Sequence, residues 1–367
     1  MNPGNLRIEP GRPQALRGKI RVLVVDDSAL ARKLITAALE QAGDIEVAGC
    51  AIDGYSACAQ VVALRPDVLT LDIGMPGMDG MTFLKKSRGE SWVPTVVISS
   101  MTGSGCQTGV DALRAGAVEV IGKPVDKPGL LDFKTVLPAK VRAAYACRRS
   151  VQKAIVRERS LSSMKLGAPA LIAIGSSTGG TEAVETILRE IATDCPGIVI
   201  AQHIPAKFSA MFADRLRQVC HIEVREAESG DCIRAGVALI APGDQHMIVQ
   251  KRLGGLVVSI NQGPRVGFQR PSVDMLFQSV ANTAGERALG VILTGMGSDG
   301  SAGLLEMKRA GALTLAQDEA TSAVFGMPKE AIRLGAVDHV LSLGQIAASL
   351  GRLHAVVGSA CNGCCLT

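Results

Sequence analysis

Aromatic residues are scarce: one Trp, two Tyr and seven Phe in 367 residues, 3% of the chain. Proteins that hold single-stranded nucleic acid stack its bases on such rings, so that class of binder is excluded by supply. Long apolar runs are missing too. None approaches the length of a membrane-spanning helix, and the N-terminus lacks the apolar centre of a signal peptide. A cytoplasmic protein without membrane insertion is expected. The ten cysteines follow no framework of spacings and read as reduced thiols. Charge of one sign is not dominant either, at 39 Lys and Arg against 34 Asp and Glu, a net +5.

What remains is a soluble composition, 47% hydrophobic and 20% charged, in a chain long for one core and comfortable for two. The expected divisions are a mobile tail over 1–18, an α/β domain over 19–138, a basic linker over 139–167, a second α/β domain over 168–357 and a cysteine-containing tail over 358–367. The linker carries Lys140, Arg142, Arg148, Arg149, Lys153, Arg157, Arg159 and Lys165 against one acid, Glu158. It reads as a solvated helix and connector, with a docking patch as the alternative. No helix-turn-helix pattern follows it, which argues against a nucleic-acid output. Cys361, Cys364 and Cys365 have a CxxC spacing without the further ligands that a zinc site needs.

In the first domain, short apolar strands near 20–25, 45–48, 68–71, 96–98 and 118–121 each precede a helical pattern. Five such units imply a parallel sheet covered on both faces, with ligands outside the strands' carboxyl ends. The polar residues fall there: Asp26 and Asp27, Asp72, Ser99 and Lys123. Three carboxylates at one rim repel unless a cation sits among them, and hard oxygen ligands suit Mg²⁺. A carboxylate beside Mg²⁺ and an ammonium is equipped to accept a phosphoryl group. DD at 26–27, LDIGMPGMDG at 71–80, SS at 99–100 and KP at 123–124 resemble a two-component receiver, a flavodoxin-like five-stranded parallel fold. The resemblance implies Asp72 as phosphoacceptor, Asp26, Asp27 and Asp72 around Mg²⁺, and Ser99 and Lys123 reading the phosphoryl group. Gly74 departs from the pattern, where relatives carry a longer polar side chain.

The second domain is organised around ALIAIGSSTGGTEAVETIL at 170–188, a strand, a Gly-Ser-rich turn and a helix. The turn fits G-x-S-x-G with Ser177 central, the spacing of a nucleophile elbow. It equally fits a phosphate cradle at a helix N-terminus, or an ordinary strand-to-helix turn. His203 follows the strand GIVIAQ, and Asp299 follows LGVILTG. A parallel sheet would gather the three on one rim, where imidazole can take the serine proton and carboxylate can orient the imidazole. The order Ser, His, Asp differs from that of the α/β-hydrolases. Ser176 is the rival nucleophile; His221 and His246 are the other imidazoles, read as structural. Residues 246–251 and 256–260 read as a hairpin, an antiparallel element added to a mainly parallel, doubly wound sheet.

GSSTGG at 175–180, QHIPAKF at 202–208, APGDQHM at 241–247, RPSVDMLF at 270–277, LTGMGSDG at 293–300 and QDEATSAVFGMPKEAI at 317–332 resemble the chemotaxis protein-glutamate methylesterase (CheB) family. That resemblance implies Ser177 as nucleophile, His203 as general base, Asp299 as its orienting acid, and Thr178 and Met296 near the oxyanion site. It implies hydrolysis of glutamyl methyl esters, and deamidation of glutamines, on methyl-accepting chemoreceptors, with no cofactor for the ester chemistry. A chemotaxis-type sensor histidine kinase would supply the phosphoryl group that relieves inhibition by the receiver. The competing readings are a non-catalytic response regulator whose output domain binds a partner, and a related esterase serving an output other than motility.

Overall fold

The protein is described here by a computed structural model covering residues 18–87, 93–99, 103–124, 126–150, 169–206 and 208–354. The expected tails up to 17 and from 358, and the linker beyond 150, lie outside the described residues. The first unit runs β1 (Ile20–Val25), α1 (Ala29–Glu40), β2 (Ile45–Ala51), α2 (Gly54–Leu64), β3 (Val68–Leu71), α3 (Gly80–Lys86), β4 (Thr95–Ser99), α4 (Gly103–Arg114), β5 (Glu119–Gly122) and α5 (Lys127–Ser150). Its sheet is parallel, in the order β2-β1-β3-β4-β5.

Alternate residues of each strand enter opposite cores, as the two-residue period requires. Leu23, Leu69 and Leu71 face one side. Val22, Val24, Val68 and Val96 face the other, against Ile35, Leu39 and Leu137. Helix starts are set by side-chain caps: Ser28 Oγ accepts from Ala31 N, Asp53 from Ser56 N and Asp79 from Thr82 N, each satisfying an N–H that the helix itself leaves free. α5 continues past residue 138, where the connector was expected to begin. Val141 and Ala144 of that extension are buried in the same core as Leu137.

The second unit runs β6 (Leu171–Ser176), α6 (Gly180–Glu190), β7 (Gly197–Gln202), α7 (Phe208–Val219), β8 (Glu223–Glu226), β9 (Val237–Ile240), β10 (His246–Arg252), β11 (Gly255–Asn261), α8 (Val273–Ala284), β12 (Ala288–Ile292), α9 (Ser301–Arg309), β13 (Leu313–Gln317), α10 (Met327–Arg333), β14 (His339–Leu341) and α11 (Leu343–Leu350). Seven strands form a parallel sheet in the order β14-β13-β12-β6-β7-β9-β8. The winding reverses at β6, with β7 on one side and β12 on the other, so the crevice for a ligand opens at its carboxyl end.

β12 ends at Ile292, and beyond it Thr294 N turns to Gln317 Oε1 at 2.8 Å. The hairpin β10–β11 does not extend the large sheet but stands as its own two-stranded sheet. Its buried residues Met247, Val249 and Val258 share a core with Val273, Leu276 and Val280 of α8, so its apolar face is spent on a helix.

The two units pack directly. A Cβ on Gly109 of α4 would fall 2.3 Å from Cε1 of Phe208 at the start of α7, so any side chain there must displace the ring. Ala143 and Cys147 of α5 pack on Val324, and Arg265 Nη2 reaches Asp132 Oδ2 of α5 at 3.1 Å.

Candidate active site

The serine turn is locked at both ends. Ser177 N donates to Thr294 O at 3.0 Å, and Gly180 N closes back onto Ser177 O at 2.7 Å. Gly179 takes the left-handed bend at φ 73°, and a Cβ there would lie 2.5 Å from that of Ala323. Among the described residues the non-glycines with positive φ are Arg65, Asp244 and Phe268; Ser177 is not one of them. The strained nucleophile elbow suggested by the G-x-S-x-G spacing is therefore not formed. The strain is placed on Gly179, which carries no Cβ to clash.

Ser176, the rival nucleophile, is fully buried and donates to Gln202 Oε1 at 2.5 Å. Its hydroxyl is committed to the interior. The same amide donates to Ser177 O at 2.9 Å and to His203 O at 3.1 Å. Gln202 thereby ties the serine turn to the imidazole, and with 2% exposure it has no water to turn to instead.

His203 Nε2 lies 2.7 Å from Asp299 Oδ2, while Nδ1 is buried without a hydrogen-bond partner. Asp299 Oδ2 also accepts from Val273 N at 2.8 Å. Its Oδ1 accepts from Ser272 Oγ at 2.8 Å and from Asp274 N at 3.0 Å. The carboxylate thus sits on the N-terminus of α8, where free N–H groups and the helix dipole favour negative charge. Burial pushes its pKa up, but the His203 bond and charge and the α8 amides outweigh that and hold it below the usual carboxylate value.

Asp274 returns the favour by accepting from Gly303 N of α9 at 2.7 Å. Burial pushes Asp274 up to about 6; Gly303 opposes this and the Asp299 charge reinforces it. Of the two adjacent carboxyls, Asp299 is the more readily ionised.

The remaining expected residues fall as follows. Thr178 is buried, with Oγ1 lacking a hydrogen-bond partner and its carbonyl accepting from Thr294 Oγ1 at 2.9 Å. A Cβ on Gly295 would lie 2.7 Å from Ser177 Cβ, so the loop carrying Met296 presses on the serine. Met296 itself is 37% exposed. His221 is exposed. His246 is buried; its Nε2 lies 3.0 Å from Pro264 O and its Nδ1 accepts from Ser272 N at 3.2 Å, the pattern of a neutral, satisfied core histidine. Sequence reasoning missed Gln202, Ser272, Asp274 and Thr294 as supports. Their one signal was being polar at the edge of an apolar strand or helix.

Ser177, Gln202 and His203 share a crevice of about 20 Å³ with Leu113, Val118, Glu119 and Val120 of the first unit. That is room for about one water, not for a glutamyl side chain. A larger cavity of about 370 Å³ adjoins it, lined by Leu113, Thr181, Glu185, Ile204, Phe212 and Arg215 among others.

At the other rim, ligand oxygens of Asp26, Asp27 and Asp72 lie within 4.8 Å of one another. Lys123 Nζ stands 2.8 Å from Asp72 Oδ2 and 2.9 Å from Asp26 Oδ2. Ser99 is buried at the end of β4, its carbonyl accepting from Lys123 N at 2.8 Å. Burial raises the Asp26 pKa despite Lys123. Burial alone would lower that of Lys123, yet Asp72 and Asp26 raise it. Three clustered carboxylates share the Lys123 ammonium, and a divalent cation with oxygen ligands would balance the negative charge that remains. A side chain on Gly74 would meet open space. No helix among the described residues is long and apolar enough to cross a membrane.

Residues 172–350 match the family model described as CheB methylesterase, and residues 22–133 the response regulator receiver domain. Protein-glutamate methylesterase/protein-glutamine glutaminase 2 of Syntrophus aciditrophicus is 47% identical over 91% of this chain and 99% of its own length. The enzyme of the same name with number 1 from Chromobacterium violaceum is 45% identical over 91% of this chain and 99% of its own. The crystal structure of the Thermotoga maritima CheB methylesterase catalytic domain is 34% identical, covers 51% of this chain and 98% of that one, and has a TM-score of 0.49.

Proposed function

The chain belongs to the CheB methylesterase family, in the form with a receiver domain ahead of the esterase domain, and from that premise we propose a mechanism for its residues. Its activity is hydrolysis of glutamyl methyl esters and deamidation of glutamines, under control of the receiver. The substrates in this reading are cytoplasmic helices of methyl-accepting chemoreceptors, and the phosphoryl donor is a chemotaxis-type histidine kinase in the cytoplasm.

One observation carries the assignment: the His203–Asp299 hydrogen bond of 2.7 Å is built beside Ser177 at the ends of three adjacent strands, β12, β6 and β7. With Nε2–H donating to Asp299, Nδ1 is the basic nitrogen left to receive the serine proton. Ser177 Oγ attacks the ester carbonyl, and its proton passes to His203. The new oxyanion is met by backbone N–H groups of the Thr178 and Met296 loops. His203 then gives that proton to the departing methoxide oxygen, or to the departing amide nitrogen of a glutamine, so that methanol or ammonia leaves. Water, deprotonated by the same imidazole, releases the glutamate and restores Ser177. Asp299 stays ionised throughout and stabilises the imidazolium.

Control follows from the crevice. The α4–β5 surface of the receiver shares the lining of Ser177 and His203, so substrate and receiver compete for one face. Asp26, Asp27 and Asp72 would hold Mg²⁺, with Asp72 the phosphoacceptor and Ser99 and Lys123 the readers of the phosphoryl group. When bound, Mg²⁺ neutralises charge on the phosphoryl oxygens. Phosphorylation must then favour the open arrangement by a differential free energy, on the order of a few kcal/mol.

The test is methanol release from methylated receptor membranes by wild type and Ser177→Ala, with and without a small phosphoryl donor and Mg²⁺. Release that requires Ser177 and rises with the donor supports both enzyme and gate. Release that ignores the donor discards the gate. No release across a panel of receptors favours an output domain that only binds.

A further inference from the structure

We propose that the loop from Gln262 to Arg270 docks the glutamate-bearing helix of the substrate, with the Arg265 guanidinium as the cation that the receiver and the substrate use in turn. This rests on the substrate reading above. The loop joins β11 to α8, and α8 is the helix whose N-terminus holds Asp299, so the loop borders the triad. It is held firmly at its base. Arg270 donates to the carbonyls of Gln262 at 3.1 Å and Gly263 at 2.9 Å, and Pro264 O takes the His246 ring N–H.

Arg265 and Arg270 both lean on one oxygen, Asp244 Oδ1, at 3.1 and 3.0 Å. Two guanidiniums on one carboxylate leave the loop with an excess positive charge. In the closed arrangement that excess is met by Asp132 of the receiver, 3.1 Å from Arg265 Nη2. With Arg265 39% and Asp132 56% exposed, the pair is of the weak, solvent-screened kind that exchanges readily. When the receiver withdraws, the guanidinium is left uncovered on the face that the substrate must occupy. A helix rich in glutamates supplies the matching carboxylate, which a guanidinium can take in a bidentate grip.

Phe268 is a second, independent sign. It is held at φ 67° and its side chain is 80% exposed, on a tight turn closed by Val266 and Gln269. A left-handed backbone is unfavourable for a residue with a Cβ, and here no burial of the ring offsets it. In a chain with seven phenylalanines, the one spent this way sits three residues from Arg265. Together they present a cation and an apolar ring, the two features needed to hold glutamate heads and the apolar stems beside them.

The test uses the full chain, saturated with a small phosphoryl donor and Mg²⁺ so that the receiver is released. Methanol release from methylated receptor membranes and hydrolysis of p-nitrophenyl acetate are measured side by side. For Arg265→Glu we expect the KM for receptors to rise about tenfold, and the ratio of receptor to small-ester kcat/KM to fall by the same factor. Arg265→Lys restores most of the ratio, and Phe268→Ala lowers it severalfold. A wild-type ratio in Arg265→Glu overturns the proposal, including the case where only unphosphorylated turnover rises, which would make Arg265 a latch alone. If Arg265→Glu melts early, Arg265→Gln carries the same test, and a wild-type ratio in it is equally decisive against. Wild-type enzyme that hydrolyses the small ester but no receptor ester sinks the substrate reading itself, an outcome separate from these.

Discussion

His203 presents Nε2, not Nδ1, to Asp299, at 2.7 Å from Oδ2, and Nδ1 is left buried without a partner. The carboxylate therefore selects the tautomer with the proton on Nε2 and the lone pair on Nδ1. Asp299→Asn keeps the shape and removes that selection. Turnover is expected to fall by about 10⁴, against roughly 10⁴–10⁶ for Ser177→Ala or His203→Ala. Steady-state methanol release measures it; an Asn variant within tenfold of wild type would remove Asp299 from the triad.

Gln202 holds the carbonyls of Ser177 and His203 with one amide group. Gln202→Glu loses both donors and places a buried carboxylate against two carbonyls. We expect kcat to drop by at least about 10²-fold, since a misplacement of about 1 Å is costly at a reacting centre. The KM for receptors should change little. A raised KM at wild-type kcat would contradict a positioning role.

Gly109 touches Phe208 so closely that even alanine must displace the ring. Gly109→Ala should weaken the closed arrangement and raise unphosphorylated turnover severalfold, with the phosphorylated rate near wild type. Equal ratios of phosphorylated to unphosphorylated activity in variant and wild type would show that α4 is not part of the gate.

Asp274 is pushed up to about 6 from an ordinary 3.8. A raised carboxyl pKa means the native state binds the proton more tightly than the unfolded chain. The associated stability is present in full below about pH 4 and is lost as pH rises through 6. Asp274→Asn is neutral at every pH and avoids that loss. Its Tm relative to wild type should climb by several degrees between pH 4 and pH 7; a pH-independent difference would refute the shift.

The acidic rim makes a metal-dependent prediction. Chelation of Mg²⁺, or Asp26→Asn, should abolish the response to a phosphoryl donor and leave basal methanol release in place. A response that survives chelation would exclude Mg²⁺ from the Asp26–Asp27–Asp72 cluster. Gly74, with open space around it, should accept asparagine without loss of fold, and the lifetime of phosphorylated Asp72 reports what the missing side chain did.

The strands and helices of both domains were legible because local patterns report them. Short, mostly apolar runs such as Val68–Leu71, followed by Asp or Ser caps, leave few alternatives to a buried parallel strand and its helix. Ser177, His203 and the Asp26–Asp27–Asp72 cluster stood out as candidates for the same reason, since each follows directly on such a strand, while Asp299 lies further on, in the loop after β12. Tertiary structure alone decided what joins them. The hydrogen bond from His203 to Asp299 spans 96 positions, and the Ser272 grip on Asp299 spans 27; no periodicity carries such pairings. Nor could it place the hairpin on α8 instead of the sheet edge, move the strain of the serine turn from Ser177 to Gly179, or bring Gly109 against Phe208. Those depend on which surfaces meet once both cores are packed, and packing is a property of shape in three dimensions rather than of spacing along a chain.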